Sequence, residues 1–244
     1  MLERTQGIVL HTLRYNDESI IASIFTESRG NVSFLVRVPH TRRSSVRSVL
    51  LRPLSILELD FDFRPQMSLQ RIREMRVAVP YVSMPYHPVK GTVALFLSEF
   101  LHYALRHEEQ NPALFNYMVY GLRWLDEAEA GLANYHLVFL MRMTRFLGFW
   151  PNIDEMEAHM RGVVFDLREG LLTGNLPRHE DFLRPAEAAL VPRFMRMDYH
   201  TMKLFRMNRE QRNRVLDVII QYYRLHIPEI PDMKSVDVLR DVFR

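Results

Sequence analysis

Cysteine is absent from this chain of 244 residues, which removes thiolate nucleophiles, disulfides, iron–sulfur clusters and cysteine-ligated zinc from its chemistry. Histidine and carboxylate sites remain. The ten histidines fall mostly as single residues: His11 in a strand pattern, His102 and His107 five apart, His136 in an apolar helix and His226 at a helix end. A spacing of five does not bring two ligands together on a helix face as i, i+4 does. Asp60 and Asp62 share one side of a strand and could hold a divalent ion in a nuclease, but their alternation with an apolar face reads as the solvated side of a half-buried strand. There is no Gly-rich phosphate loop ending in Lys-Ser or Lys-Thr, no G-x-G-x-x-G after a strand, no G-x-S-x-G elbow and no H-E-x-x-H helix. No catalytic residue and no metal set is nominated.

What remains is cationic. Arginine outnumbers lysine 29 to 3, and its planar fork suits bidentate contacts with phosphate. Residues 1–80 carry 12 Arg and no Lys against eight acids, whereas the rest of the chain is nearly neutral. The polyanion signal therefore belongs to the first third. Its densest part is Pro39 to Arg47, with Arg42, Arg43 and Arg47 and no acid; Arg37, Arg14, Arg71, Arg73 and Arg76 are nearby candidates for phosphate contacts. A second cluster contains Arg193, Arg196, Lys203, Arg206, Arg209, Arg212 and Arg214. Lys203, Arg206 and Arg209 step by three, a spacing that shares a helix face and could hold phosphates or an acidic peptide. A solvated surface is the alternative reading of both clusters.

The elements that carry these residues follow from hydrophobic period. Up to about Arg76 the period is two. Runs at Gly7–Tyr15, Ser19–Thr26, Asn31–Arg37, Ser55–Phe63 and Ser68–Val77 predict five strands, separated by turn residues at Asn16-Asp17-Glu18 and Ser28-Arg29-Gly30-Asn31. So small a sheet exposes its edges unless it curls, which predicts a closed or nearly closed barrel of the OB type over 1–80. Pro80, Pro85 and Pro88 mark a linker, after which the period becomes helical. Helices are expected from about Val93 to Leu105, Ala113–Leu125, Leu132–Leu147, Tyr199–Met207, Arg209–His226 and after Ser235, within a domain spanning 81–244. The fold class is thus α+β, a barrel followed by a helical domain. No stretch approaches the roughly 18 apolar residues of a membrane span, so a cytoplasmic location is expected.

Several blocks together resemble one family. Gly7 to Thr26, Arg29 through Arg47, Leu51-Arg-Pro-Leu-Ser-Ile-Leu-Glu-Leu59, Asn111-Pro-Ala-Leu-Phe115, Arg145-Phe-Leu-Gly-Phe-Trp-Pro-Asn-Ile-Asp154 and Tyr222 to Leu239 are similar, in this order, to the RecO family of bacterial DNA repair proteins. The resemblance implies an N-terminal OB fold and a helical domain that bind single- and double-stranded DNA and anneal complementary strands. It also implies partnership with RecR and with the acidic C-terminal tail of single-strand DNA-binding protein, assisting RecA indirectly, with no cofactor. A scaffold of the same repair complex with little DNA binding of its own is the alternative.

Many members of that family carry two Cys-x-x-Cys pairs in a zinc knuckle. Here Met156-Glu-Ala-His159 stands at the first pair and the second is absent. The region around 152–185 is therefore expected to be a degenerate, metal-free insertion packed through Phe165, Leu171, Leu172 and Phe182. If the basic segment holds phosphates, changing Arg42, Arg43 and Arg47 together to Ala will flatten the slope of log K against log salt for single-stranded DNA by about 2. A fluorescence titration over a salt series checks this.

Overall fold

A computed structural model of the chain describes residues 2–38, 49–153 and 162–243. The period-two region forms five antiparallel strands: β1 (Leu2–Asn16), β2 (Ser19–Thr26), β3 (Gly30–Arg37), β4 (Ile56–Asp62) and β5 (Arg71–Val79). Strand β1 begins earlier than the sequence pattern indicates because Leu2–Ile8 pairs with β4 while Gly7–Asn16 pairs with β2. Register shifts after Val9 and Arg14 interrupt its ladder with β2. Such irregularities bend a strand and increase its twist.

The sheet order is β3-β2-β1-β4-β5. Among the described residues its two edges meet only at a parallel bridge between Phe34 and Gln70. There the Leu35 N–H donates to the Gln70 carbonyl, and the Gln70 N–H donates to the Ser33 carbonyl, both at 2.9 Å. The barrel is OB-type with an open seam, not a continuously closed ladder. Strand β5 starts at Arg71, later than Ser68, because Gln70 is occupied otherwise. Its buried amide donates to the carbonyls of Arg64 and Met67 and accepts from the Arg64 N–H, which ties down the preceding turn.

Inward residues of four strands, including Val9, Ala22, Ile24, Phe34, Leu57, Leu59 and Phe61, fill the barrel and are fully buried. Gly7 is needed at that wall: a Cβ there would lie 2.6 Å from Ile24 Cγ2. The outward acids of β4 are each met by arginine. Arg4 grips Asp60 through two bonds of 2.8 and 3.0 Å, Arg76 grips Glu58 at 2.9 and 2.8 Å, and Arg73 donates to Asp62 at 2.7 Å. The guanidinium bonds hold the Asp60 and Glu58 carboxyls below their ordinary range.

The helices are α1 (Pro88–Ala104), α2 (Pro112–Glu127), α3 (Tyr135–Met143), α4 (Pro185–Ala188), α5 (Val191–Met195), α6 (Arg209–His226) and α7 (Ser235–Val242). Asn111 caps α2, accepting from the Leu114 N–H at 3.0 Å ahead of Pro112. Helix α6 has the expected bounds, set by a capping box in which Asn208 and Gln211 exchange side-chain-to-backbone bonds.

Two helix expectations are corrected. The third helix ends at Met143 instead of Leu147, where successive turns bring the Phe149 N–H onto the Thr144 carbonyl and Gly148 takes φ +84°. The segment Tyr199–Met207 is not a helix. Asp198 caps this segment, its carboxylate accepting from the N–H groups of His200 and Thr201, but only a 3-10 turn at Met202–Leu204 follows, because Phe205 leaves the helical conformation with ψ 88° before Asn208 starts α6.

By compactness the chain divides into Met1–Ala128 with Pro231–Phe243, and Glu129–Ile230. The strand-to-helix change near residue 80 is present, but α1, α2 and α7 group with the barrel. Within that first unit Gly30 adopts φ +69°, and a Cβ there would lie 2.3 Å from the Glu108 carbonyl oxygen that accepts from the Asn31 N–H. The linker is held by Asp126, whose carboxylate accepts from the N–H groups of Val82, Ser83 and Met84 at 2.8, 2.9 and 2.6 Å. Buried Lys90 donates to the Ser83 hydroxyl and the Asp126 carbonyl at 2.6 and 2.7 Å.

In the second unit β6 (Val164–Asp166), β7 (Leu171–Thr173) and β8 (Phe182–Leu183) form a small sheet of order β7-β6-β8. Phe165 and Leu172 are buried in its core as expected, with Leu167, Leu183 and Tyr222. Leu171 and Phe182 are only half-buried because strand alternation turns Leu172 and Leu183 inward instead.

Burial raises the Asp126 pKa, but the three amides and Lys90 outweigh it and hold the carboxyl below 3.8. Its contribution to stability is therefore complete above the unfolded-state value and lost as pH falls through the lower folded value. Asp126→Asn should cost about 2–4 kcal/mol at pH 7. Urea unfolding from pH 7 to pH 2.5 should show that difference shrinking at the acid end.

Candidate nucleic-acid interface and partner pocket

The parting of β3 and β5 beyond the Phe34–Gln70 bridge leaves a groove of about 400 Å³, walled by Leu35, Ile72 and Met75 with Glu74. Arg37 comes from the end of β3, while Arg71 and Arg73 come from β5, and all three line it. Three of the arginines nominated from the sequence are thus brought to one place. They are not equivalent. Arg73 is committed to Asp62, whereas Arg37 and Arg71 have no ion-pair partner among the described residues. Arg14 lies near the β1–β2 turn, 3.1 Å from Asp17, outside this groove. Arg42, Arg43 and Arg47 lie outside the described residues; they follow Arg37 directly in sequence.

Paired strands give the edge its character. Ser19 is the register partner of both Asn16 and Arg37, so the β1–β2 hairpin turn and the end of β3 lie in one row. Leu13, Ile21 and Leu35 form the next row toward the solvent face, with Leu13 58% exposed. An apolar strip beside free guanidinium groups can accept both faces of a nucleic-acid strand, bases on the strip and phosphates on arginine. The apolar row was missed in the sequence because each member looks like ordinary strand core; only the register shows that the row faces outward.

Among the described residues the histidines form no metal site. His102 stacks on His11 with ring centroids 4.4 Å apart. Burial, with smaller effects from His11 and Arg106, pushes the His102 pKa down to about 4, so the ring is neutral at pH 7. His107 lies beyond the end of α1, not on it.

The second unit contains a pocket of about 530 Å³. Its floor is apolar, including Leu137, Met141, Phe165, Val215, Val218 and Tyr222, and Arg193, Arg206, Arg214, Glu187 and Glu210 lie around it. Arg193 is over the Phe205 ring, 5.2 Å from its centroid. Arg214 holds Glu187 in a two-pronged pair of 2.6 and 3.0 Å, and Arg206 has no ion-pair partner among the described residues.

The expected Lys203, Arg206 and Arg209 stripe is not a helix face. Lys203 is in the 3-10 turn, Arg206 in the irregular segment after it and Arg209 at the start of α6, and of the three only Arg206 lines the pocket. Arg193 and Arg214 are the lining residues that spacing alone did not select. The signal for Arg214 was available, because Gln211, Arg214, Val215, Val218 and Tyr222 recur at helical spacing on one side of α6.

The insertion does not suit zinc. The chain has no cysteine, and among the described residues no three histidine, aspartate or glutamate side chains converge. His179 instead lies 3.3 Å from the Asp166 carboxylate. His159 lies outside the described residues. No helix among the described residues is long and apolar enough to cross a membrane.

Comparison with known proteins agrees with this architecture. Residues 1–81 match the family described as Recombination protein O N terminal, and residues 86–235 match Recombination protein O C terminal. The chain is 47% identical to the DNA repair protein RecO of Phocaeicola vulgatus over 243 residues, covering all of both chains. It is 47% identical to that of Bacteroides fragilis and 32% identical to that of Porphyromonas gingivalis, again with full coverage of both. An OB-type barrel followed by helices, matched along its whole length by such relatives, makes this chain a member of the RecO family of DNA repair proteins.

Proposed function

We propose that the protein is a recombination mediator: it binds single- and double-stranded DNA, anneals complementary strands and helps RecA load onto strands coated by single-strand DNA-binding protein. The observation that carries this reading is the convergence of Arg37 and Arg71, free of acid partners among the described residues, on the open seam of an OB-type barrel. The basic segment through Arg42, Arg43 and Arg47 extends the same cationic track in sequence. Neutralising phosphates on two strands lowers their mutual repulsion, and the counterions released make binding strongly dependent on salt. Base contacts with the apolar row are tolerant of sequence, as a mediator acting anywhere in a genome requires.

The work is binding, not catalysis. Asp60 and Asp62, the carboxylates best placed for a nuclease metal, are both engaged by arginine. The second unit provides for partners. Its pocket combines an apolar floor with Arg193, Arg206 and Arg214, the chemistry needed to seat a carboxylate-rich peptide with apolar side chains. We assign it to the acidic C-terminal tail of single-strand DNA-binding protein, and RecR to a surface elsewhere. The protein acts in the cytoplasm at the nucleoid.

Annealing of complementary oligonucleotides coated with the cognate single-strand DNA-binding protein tests the reading. Acceleration that disappears when that protein's tail is deleted is the expected result; no annealing on bare or coated strands would overturn it. Arg37→Ala combined with Arg71→Ala should lower the salt slope of single-strand binding by about 1.4 and weaken it equally for unrelated sequences. An unchanged slope removes the seam from the DNA site.

A further inference from the structure

Charge around the partner pocket is partly cancelled by the protein itself. Arg214, midway along the first half of α6, and Glu187, from α4, both line the pocket and hold each other through two parallel bonds. Arg214 is 54% exposed and Glu187 37% exposed, so both remain accessible from solvent. The guanidinium keeps the Glu187 carboxyl ionised, below its ordinary range. A carboxylate held in the fork of an arginine beside an apolar cavity occupies the position that a peptide carboxylate would take.

We infer that Glu187 is a resident competitor for the acidic ligand of this pocket: ligand binding exchanges a peptide carboxylate for Glu187 on Arg214. The inference rests on the assignment of the pocket to an acidic peptide. Exchange is physically inexpensive, because an ion pair this exposed is weak and the guanidinium is never left without an acid. It also sharpens selection. A ligand with apolar side chains alone can fill the floor but gains nothing from Arg214, whereas one with a suitably placed carboxylate recovers the two-pronged bond. Glu187 thus sets a threshold that neutral apolar segments do not cross, a repulsive element built beside an attractive one.

Glu210 provides an internal control. It lines the same pocket from the first turn of α6 and has no ion-pair partner among the described residues. Its removal changes the charge of the rim without freeing an arginine.

The experiment is fluorescence anisotropy with a labelled peptide copying the C-terminal tail of the cognate single-strand DNA-binding protein, titrated with the whole protein. Glu187→Gln should tighten binding by about threefold, the reverse of what loss of a pocket residue usually does. In the Arg214→Ala background the gain from Glu187→Gln should fall to the small rim-charge gain that Glu210→Gln gives, because no fork is left to free. Glu210→Gln should give that same small gain with or without Arg214. A Glu187→Gln variant that binds no tighter than wild type, or whose gain is undiminished without Arg214, overturns the exchange while leaving the pocket assignment standing. Absence of peptide binding by both wild type and Glu187→Gln, with thermal melts showing both folded, overturns the pocket assignment and the exchange together.

Discussion

Two strand edges that meet once and then part determine most of what this molecule can do. A five-stranded sheet must either pair its edges or leave backbone groups open to solvent. Among the described residues β3 and β5 pair only through Ser33, Leu35 and Gln70, after which each follows its own neighbour. Gln70 makes this possible, because its side chain secures the turn before β5 while its backbone bridges to Ser33 and Leu35 of β3. The seam and the arginines that line it depend on that fastening.

Placement of charge depends on the same sheet. Of the arginines in the first third, those facing β4 are spent on Glu58, Asp60 and Asp62, giving an outer wall that is locally neutral. Arg37 and Arg71, at the seam, have no ion-pair partner among the described residues. Net charge therefore underestimates the local field that a phosphate would meet, and arginine count overestimates how many cations are free to meet it. The pocket of the second unit shows the same economy, with one arginine paired, one lying over an aromatic ring and one unpaired among the described residues.

Much of the architecture was legible in the residues. The alternation of Leu57, Leu59 and Phe61 with Glu58, Asp60 and Asp62 specified both faces of β4, and Asn111-Pro112 marked the start of one helix because caps are local signals. What failed was also local. Phe205 leaves the helical conformation one turn after Asp198 caps it, and the stripe inferred from Lys203, Arg206 and Arg209 disappeared with the helix expected over Tyr199–Met207. At the seam, sequence spacing identified the right arginine types at Arg37, Arg71 and Arg73 but could not show that two strands distant in sequence would part there, nor that Asp62 would claim one of the three. Pairing across a sheet is a non-local fact. The outward row of Leu13, Ile21 and Leu35 was hidden for the same reason, since register between strands decides which side each faces.

The return of the last helix to the first unit has a consequence for synthesis. Helix α7 buries Val236 and Leu239, and its Ser235 N–H donates to Glu99 on α1 at 3.0 Å. About a hundred residues of the other unit are made between α2 and α7. At ribosomal rates of about 5–20 residues per second, the first unit waits several seconds or longer for its final element. Throughout that interval the side of α1 that α7 will cover is exposed to solvent, a window in which a nascent chain is open to chaperones and to misassociation with its neighbours on the same message. The second unit is contiguous in sequence and can complete itself first, so the order of folding runs opposite to the order in which the two units begin to be made.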